Sequence, residues 1–204
     1  IGAATDTVLL HDYGGLIIAP AGVSDDDRWG NFVEDTAVVA SGAGIEFEQL
    51  TAADARSRFP NVLVGDDEIV GREPTAGIVM AEKVVAAQLD LATAAGAELR
   101  FGSTVSGLSR SKGRPVVRTS DGDVAARHVV IAAGAWAPTF HDVDRLCVTR
   151  QVVFWFEADD LETWRPDQLS FVIWARKSID EYLGAFGAPW GGIPAVKVLG
   201  EQFV

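Results

Sequence analysis

The stretch His128-Val129-Val130-Ile131-Ala132, followed at once by Ala133-Gly134-Ala135-Trp136, constrains the fold more than any other part of the chain. A strand with one face in water alternates apolar and polar residues. An unbroken apolar run reads instead as a strand covered on both faces, the usual place of a parallel strand in an α/β sheet. The small residues after it have two readings. They let main chain approach a ligand at the sheet edge where cofactors bind, or they make a tight exit from strand to loop.

The segments around this run fit a nucleotide-binding context. Ala81 to Ala95 is the clearest helix, with Val85, Leu89 and Ala92 on one face, Val84, Leu91 and Ala95 close by, and Gly96 as its stop. Ala97–Phe101 and Thr104–Leu108 read as strands. Pro115–Thr119 and Asp123–Ala125 pair around Ser120-Asp121-Gly122, where Asp-Gly signals a hairpin. Helix, strand, hairpin and buried strand together make half of a dinucleotide-binding unit.

Upstream, Val8–Leu10 and Gly15–Pro20 are short apolar runs read as strands. Ser24 before three aspartates caps a helix that runs on through Trp29, Phe32, Val33, Thr36, Ala37 and Ala40. Those adjacent acids point around a helix and suit its N-terminal dipole better than a metal ion. Thr51-Ala52-Ala53-Asp54 approximates a capping box, Pro60 stops the short helix it opens, and Glu68–Arg72 forms a strand. The last third is rich in aromatic strands: Arg150–Glu157, Ser170–Trp174, Glu181–Phe186 and Ala195–Leu199, an antiparallel set.

Composition removes several classes. The 204 residues carry 17 Lys+Arg against 29 Asp+Glu, a net charge of −12. Nucleic-acid binders present a basic face, so no nucleic-acid partner is expected. The same sign disfavours anionic membrane, and the longest apolar runs fall far short of the roughly 20 residues that span a bilayer. One cysteine, Cys147, excludes an internal disulfide and fits the reducing cytoplasm. Leu146 and Val148 flank it, so it reads as a buried structural thiol. No complete catalytic motif is present, and the three histidines, His11, His128 and His141, are too scattered to hold a metal. Lys197, between Val196 and Val198, lies either on the solvent face of its strand or inward, where a desolvated ammonium needs a purpose. Tyr182 is either core or a hydroxyl lining a pocket.

In order and spacing these segments resemble the monomeric sarcosine oxidase and N-methyltryptophan oxidase group of the D-amino-acid oxidase superfamily. Tyr13-Gly14-Gly15-Leu16 looks like the opening strand of that group's substrate domain. Ala97 through Trp136 is similar to the later part of its FAD domain. Arg150-Gln151-Val152-Val153 resembles the returning strand, and Tyr182-x-Gly184 with Val196-Lys197 the tyrosine and lysine strands. The resemblance implies an α/β fold of mixed α+β character, a partial FAD-binding Rossmann-like domain interleaved with a mixed or antiparallel-sheet substrate domain. Residues 1–75 and 144–204 fall in the substrate domain and 76–143 in the FAD domain.

The implied cofactor is FAD and the implied partners are a small amine and molecular oxygen. A secondary or tertiary amine is oxidised to an imine, and oxygen is reduced to hydrogen peroxide. By the resemblance Lys197 falls on the catalytic lysine that activates oxygen, and Tyr182 on a substrate-binding tyrosine. Val105 falls on the residue whose backbone meets the adenine, and Ala133, Gly134, Ala135 and Trp136 on a loop beside the cofactor.

There are departures. The group's phosphate-binding glycine motif and substrate-gripping arginine are expected before Ile1, and its flavin-linking cysteine after Val204, so an internal piece inactive on its own is expected. Cys147 does not match that cysteine, Glu201 stands near where the group has a histidine, and extra residues including Pro189-Trp190-Gly191-Gly192 precede Lys197. The alternatives are an amine dehydrogenase with another electron acceptor, and a non-catalytic subunit or binding module that keeps the fold.

Overall fold

A computed structural model of the chain describes residues 1–22, 31–140, 146–160, 162–165, 171–176, 181–186 and 195–202. Along the chain these form α1 (Gly2–Thr5), β1 (Leu10–His11), β2 (Gly15–Pro20), α2 (Phe32–Gly42), β3 (Glu48–Leu50), α3 (Ala52–Arg58), β4 (Glu68–Glu73), β5 (Ile78–Val79) and α4 (Ala81–Ala94). After them come β6 (Val105–Ser111), β7 (Arg114–Thr119), β8 (Gly122–Ala125), β9 (Val153–Phe156), β10 (Phe171–Arg176), β11 (Glu181–Phe186) and β12 (Val196–Gln202). None of the described helices is long and apolar enough to cross a membrane. The chain divides into two compact units, residues 1–87 with 151–204, and residues 88–150.

The first unit is built on a seven-stranded mixed sheet in the order β3-β4-β2-β10-β11-β12-β9. Its third strand, β2, is antiparallel to β4 and parallel to the central strand β10, a contact that joins the first and last thirds of the sequence. Period-two alternation sends successive β2 side chains to opposite faces. Leu16 and Ile18 enter a cluster with Leu50, Ala55, Val70 and Val172, and Phe59, Trp164 and Trp174 pack against it. Ala19 goes to the other face with Val33 and Ala175, against Ile17 and Phe47. Both faces of β2 are therefore covered, which is why the run from Leu16 to Ala19 has no polar residue.

Local chemistry fixes the flanking elements. Asp54 N donates to Thr51 Oγ1 at 3.2 Å and the Thr51 hydroxyl donates back to the Asp54 carboxylate at 2.7 Å, closing the N-terminus of α3. Ser24 and the three aspartates lie outside the described residues; α2 begins at Phe32, with Asn31 rather than Ser24 in the N-cap position. The last third is antiparallel from β10 through β11 and β12 to the edge strand β9. The segment 189–192 also lies outside the described residues.

The second unit holds a three-stranded antiparallel sheet, β6-β7-β8. The expected hairpin joins β7 to β8 with Ser120 and Asp121 as its two turn residues, and Gly122 (φ 117°) opens β8 opposite Thr119. The β6–β7 turn uses Lys112 (φ 48°) and Gly113 (φ 79°), both left-handed, the pair of conformations a two-residue type I′ hairpin requires.

Four expectations are corrected. His128–Ala132 is not a strand: it is irregular, and Val130 is 89% exposed. No described strand lies alongside it, and a strand without a neighbour leaves its main-chain groups to water. Ala97–Phe101 is also irregular for want of a neighbour, with Arg100 tied back to Glu98 at 2.7 Å. On α4 the buried residue is Ala87, with Val84, Leu89, Leu91 and Ala92 half-buried about it, whereas Val85 and Ala95, expected on or near the covered face, are exposed. Cys147 is exposed, because the irregular segment around it leaves Leu146 and Val148 exposed too.

Candidate functional site

The candidate residues fall into two groups, one in each unit. In the second unit, Val105 at the start of β6 and Ala133 at the end of the apolar run line one cavity of about 290 Å³, together with Leu108, Val117, Val129, Ile131 and Phe140. The β6–β7 pairing shifts register between Val105 and Gly107, and Leu108 then pairs Val117 across the ladder. Those two aliphatic side chains and the irregular run make an apolar lining. A neighbouring cavity of about 400 Å³ shares Leu108, Val129 and Ile131 and adds Ser109 and Arg110.

Gly134, Ala135 and Trp136 lie just beyond, in the 3-10 segment Gly134–Thr139. Gly134 has φ 51°, a left-handed value that disfavours a Cβ, and the space where a Cβ would project is open. Trp136 is 73% exposed. The structure thus brings Val105 and Ala133 to one cavity and places Gly134–Trp136 on the segment that leaves it.

Volume and lining test what this cavity fits. Ligand pockets span about 300–1,000 Å³, so this one takes a single ring system, not a whole dinucleotide. Its aliphatic lining suits the flat face of a heteroaromatic ring, and the main chain about Gly134 is open to approach. The residues present therefore fit one ring end of FAD. Among the described residues no glycine-rich turn opens a helix to cradle its diphosphate.

In the first unit, Lys197 lies on β12 and is half-buried. It stands opposite Trp155 of β9 on one side and Phe186 of β11 on the other. Its Nζ lies 5.8 Å from the centre of the Trp155 ring, over the face. Tyr182 is on β11, in register with Ala175 of β10 and Glu201 of β12. Lys197 and Tyr182 are on neighbouring strands, four residues apart in register, roughly 13 Å along the strand direction. Arg100, on the loop after α4, has its guanidinium held above its ordinary value by the hydrogen bond and charge of Glu98, with Asp121 adding to it. It is charged at every accessible pH, so the shift moves no proton near neutrality.

Leu108, Val117, Phe140, Arg110 and Trp155 were not singled out from the sequence. The Leu108/Arg110 spacing on β6 and the aliphatic Val116-Val117 pair carry a weak signal. Trp155 carries none, because only the β9–β12 register places it against Lys197.

Residues 3–194 match the protein family described as FAD dependent oxidoreductase. The chain is 35% identical over 130 residues to a monomeric sarcosine oxidase of Streptomyces avermitilis, covering 62% of this chain and 34% of that protein. It is 30% identical over 128 residues to an N-methyl-L-tryptophan oxidase of Citrobacter koseri, covering 63% and 34%. The matched region spans about a third of the length of these curated relatives. Among solved structures, the fold is similar to the open form of NikD, an unusual amino acid oxidase essential for nikkomycin biosynthesis. That similarity has a TM-score of 0.72 at 21% identity and covers 100% of this chain and 52% of that one.

Proposed function

The chain belongs to the FAD dependent oxidoreductase family, and from that membership we propose that it is part of an oxidase of secondary or tertiary amines. Its substrates are N-methyl amino acids, its electron acceptor is oxygen, and its product beside the imine is hydrogen peroxide. The observation that carries this reading is the apolar cavity shared by Val105 and Ala133. Residues 76–143 then belong to the FAD domain, and residues 1–75 and 144–204 to the substrate domain.

FAD, when bound, supplies the two-electron acceptor that amine oxidation needs. The chain's own residues do the rest. Val105, Leu108, Val129 and Ala133 receive the adenine end and exclude water from its faces. Gly134, Ala135 and Trp136 let main chain run close beside the cofactor. Tyr182 lines the amine side, with its hydroxyl as the polar handle. Lys197 places a fixed positive charge where negative charge develops on oxygen. At about 4 Å and an effective dielectric near 20 such a charge contributes roughly 4 kcal/mol, on the order of a thousandfold in rate.

Peroxide release with a panel of N-methyl amino acids tests the reading. Lys197→Met should slow the oxygen-dependent step about a thousandfold and leave turnover with an artificial dye unchanged. A wild-type protein that reduces the dye with amine yet consumes no oxygen would instead be an amine dehydrogenase.

A further inference from the structure

A lysine charge is useful for electrostatic stabilisation only where its position is fixed, and the lysine side chain has four rotatable bonds that work against this. On β12, Lys197 meets a device that restrains it. Residues directly opposite in an antiparallel pair carry their side chains on the same face, and Trp155 is directly opposite Lys197. The ammonium sits 5.8 Å from the indole centre, within the range in which a cation is held by an aromatic face, and tryptophan is the strongest of the aromatic acceptors.

Trp155 belongs to the edge strand of the sheet. It is 43% exposed, and Val153, Phe154 and Phe156 are exposed as well. Phe154 and Phe156 share the opposite face of the strand, with ring centres 6.1 Å apart. The indole is thus on the face of the β9–β12 ladder that carries Lys197.

We propose that Trp155 is the positioning residue of Lys197, its indole face holding the ammonium across the β9–β12 ladder for the oxygen step. The proposal rests on the role given to Lys197 under the proposed function, and the two are separable by experiment. The sequence has four lysines, Lys83, Lys112, Lys177 and Lys197, so a protein grown with 13C-lysine gives a nearly resolved set of side-chain signals. Lys197→Arg identifies the one that belongs to Lys197.

The ε-methylene protons of Lys197 are expected upfield of those of the other three lysines, shifted by the indole ring current. The shift disappears in Trp155→Leu and is partly kept in Trp155→Phe. A merely structural role for Trp155 would not produce it. In the flavin-loaded protein, Trp155→Leu slows the oxygen step by about two- to fivefold, Trp155→Phe falls between, and the amine-dependent step is unchanged.

A wild-type Lys197 signal that coincides with the other lysines overturns the proposal, whether or not either variant folds, and leaves the role of Lys197 untouched. A ring-shifted Lys197 whose Lys197→Met variant keeps full oxygen reactivity overturns the role of Lys197, and with it the purpose of the restraint, but not the contact.

Discussion

Two apolar runs of nearly the same character have opposite fates in this molecule. Leu16-Ile17-Ile18-Ala19 lies in β2, hydrogen-bonded to β4 on one edge and β10 on the other, with clusters of buried side chains on both faces. Val129-Val130-Ile131-Ala132 forms no strand, and three of its four residues are exposed. The difference extends to the units that hold them. The first unit buries Leu16, Ile18, Val33 and Val70 almost completely, whereas among the described residues of 88–150 Val116 is the one buried aliphatic side chain. An apolar run thus states a demand for cover, and the neighbours decide whether cover is supplied. In the first unit protein supplies it. In the second, the uncovered surface is the lining of the cavity to which the proposed function assigns the adenine end of FAD.

Substitutions at matched positions sharpen or break this contrast. Ile18→Ala should cost about 2–5 kcal/mol in urea unfolding, because it opens a cavity where nothing can collapse inward. A cost well under that would mean the first unit is not the stable one. Gly71→Ala comes next: a Cβ there meets the Phe47 ring, and Val33 Cγ1 lies 3.1 Å away. That overpacking should cost about 1–3 kcal/mol. Thr51→Ala removes the cap of α3 and should cost about 1 kcal/mol by the same measurement.

The corresponding changes in the second unit are small. Gly107→Ala on β6 meets nothing within 4 Å at a non-positive φ, so unfolding should show it neutral or stabilising by up to about 1 kcal/mol. Val130→Ala should change stability by no more than about 0.5 kcal/mol. A loss of 2 kcal/mol or more at Val130, on the scale of a core truncation, would mean that the run is covered after all and would remove the contrast.

Elements fixed by neighbours in sequence were legible. The Thr51 cap, the hairpin between β7 and β8 and the stop of α4 at Gly96 all depend on contacts a few residues apart; the strands of the last third were legible from their own apolar and aromatic runs. What was not legible depends on distant pairing. The parallel contact of β10 with β2 joins residues more than 150 positions apart, and it unites the antiparallel last third with β2, β4 and β3 in one mixed sheet. The run 128–132 carries the composition of a covered strand, and composition does not say whether a strand lies beside it. Cys147 was misjudged for the same reason, since its apolar neighbours are themselves exposed.

The candidate site divides along the same line. Residue types at Val105, Ala133–Trp136, Tyr182 and Lys197 could be singled out by their order along the chain. The side chains that complete their surroundings, Leu108, Val117 and Trp155, come from ladder registers. The Lys112-Gly113 turn sets the first of these ladders, and a Lys-Gly pair is a weaker turn signal than Asn-Gly or Asp-Gly.

Amide hydrogen exchange across both runs, with and without saturating FAD and with ADP as a second ligand, addresses the contrast and the proposed site together. Without ligand, amides 16–19 should exchange only on global unfolding and amides 129–133 at close to unprotected rates. Either ligand should then slow exchange at 105–108 and 129–136 and leave 16–19 unchanged. Protection at 129–133 without ligand, or no slowing there with FAD, would contradict the assignment of that surface to the cofactor.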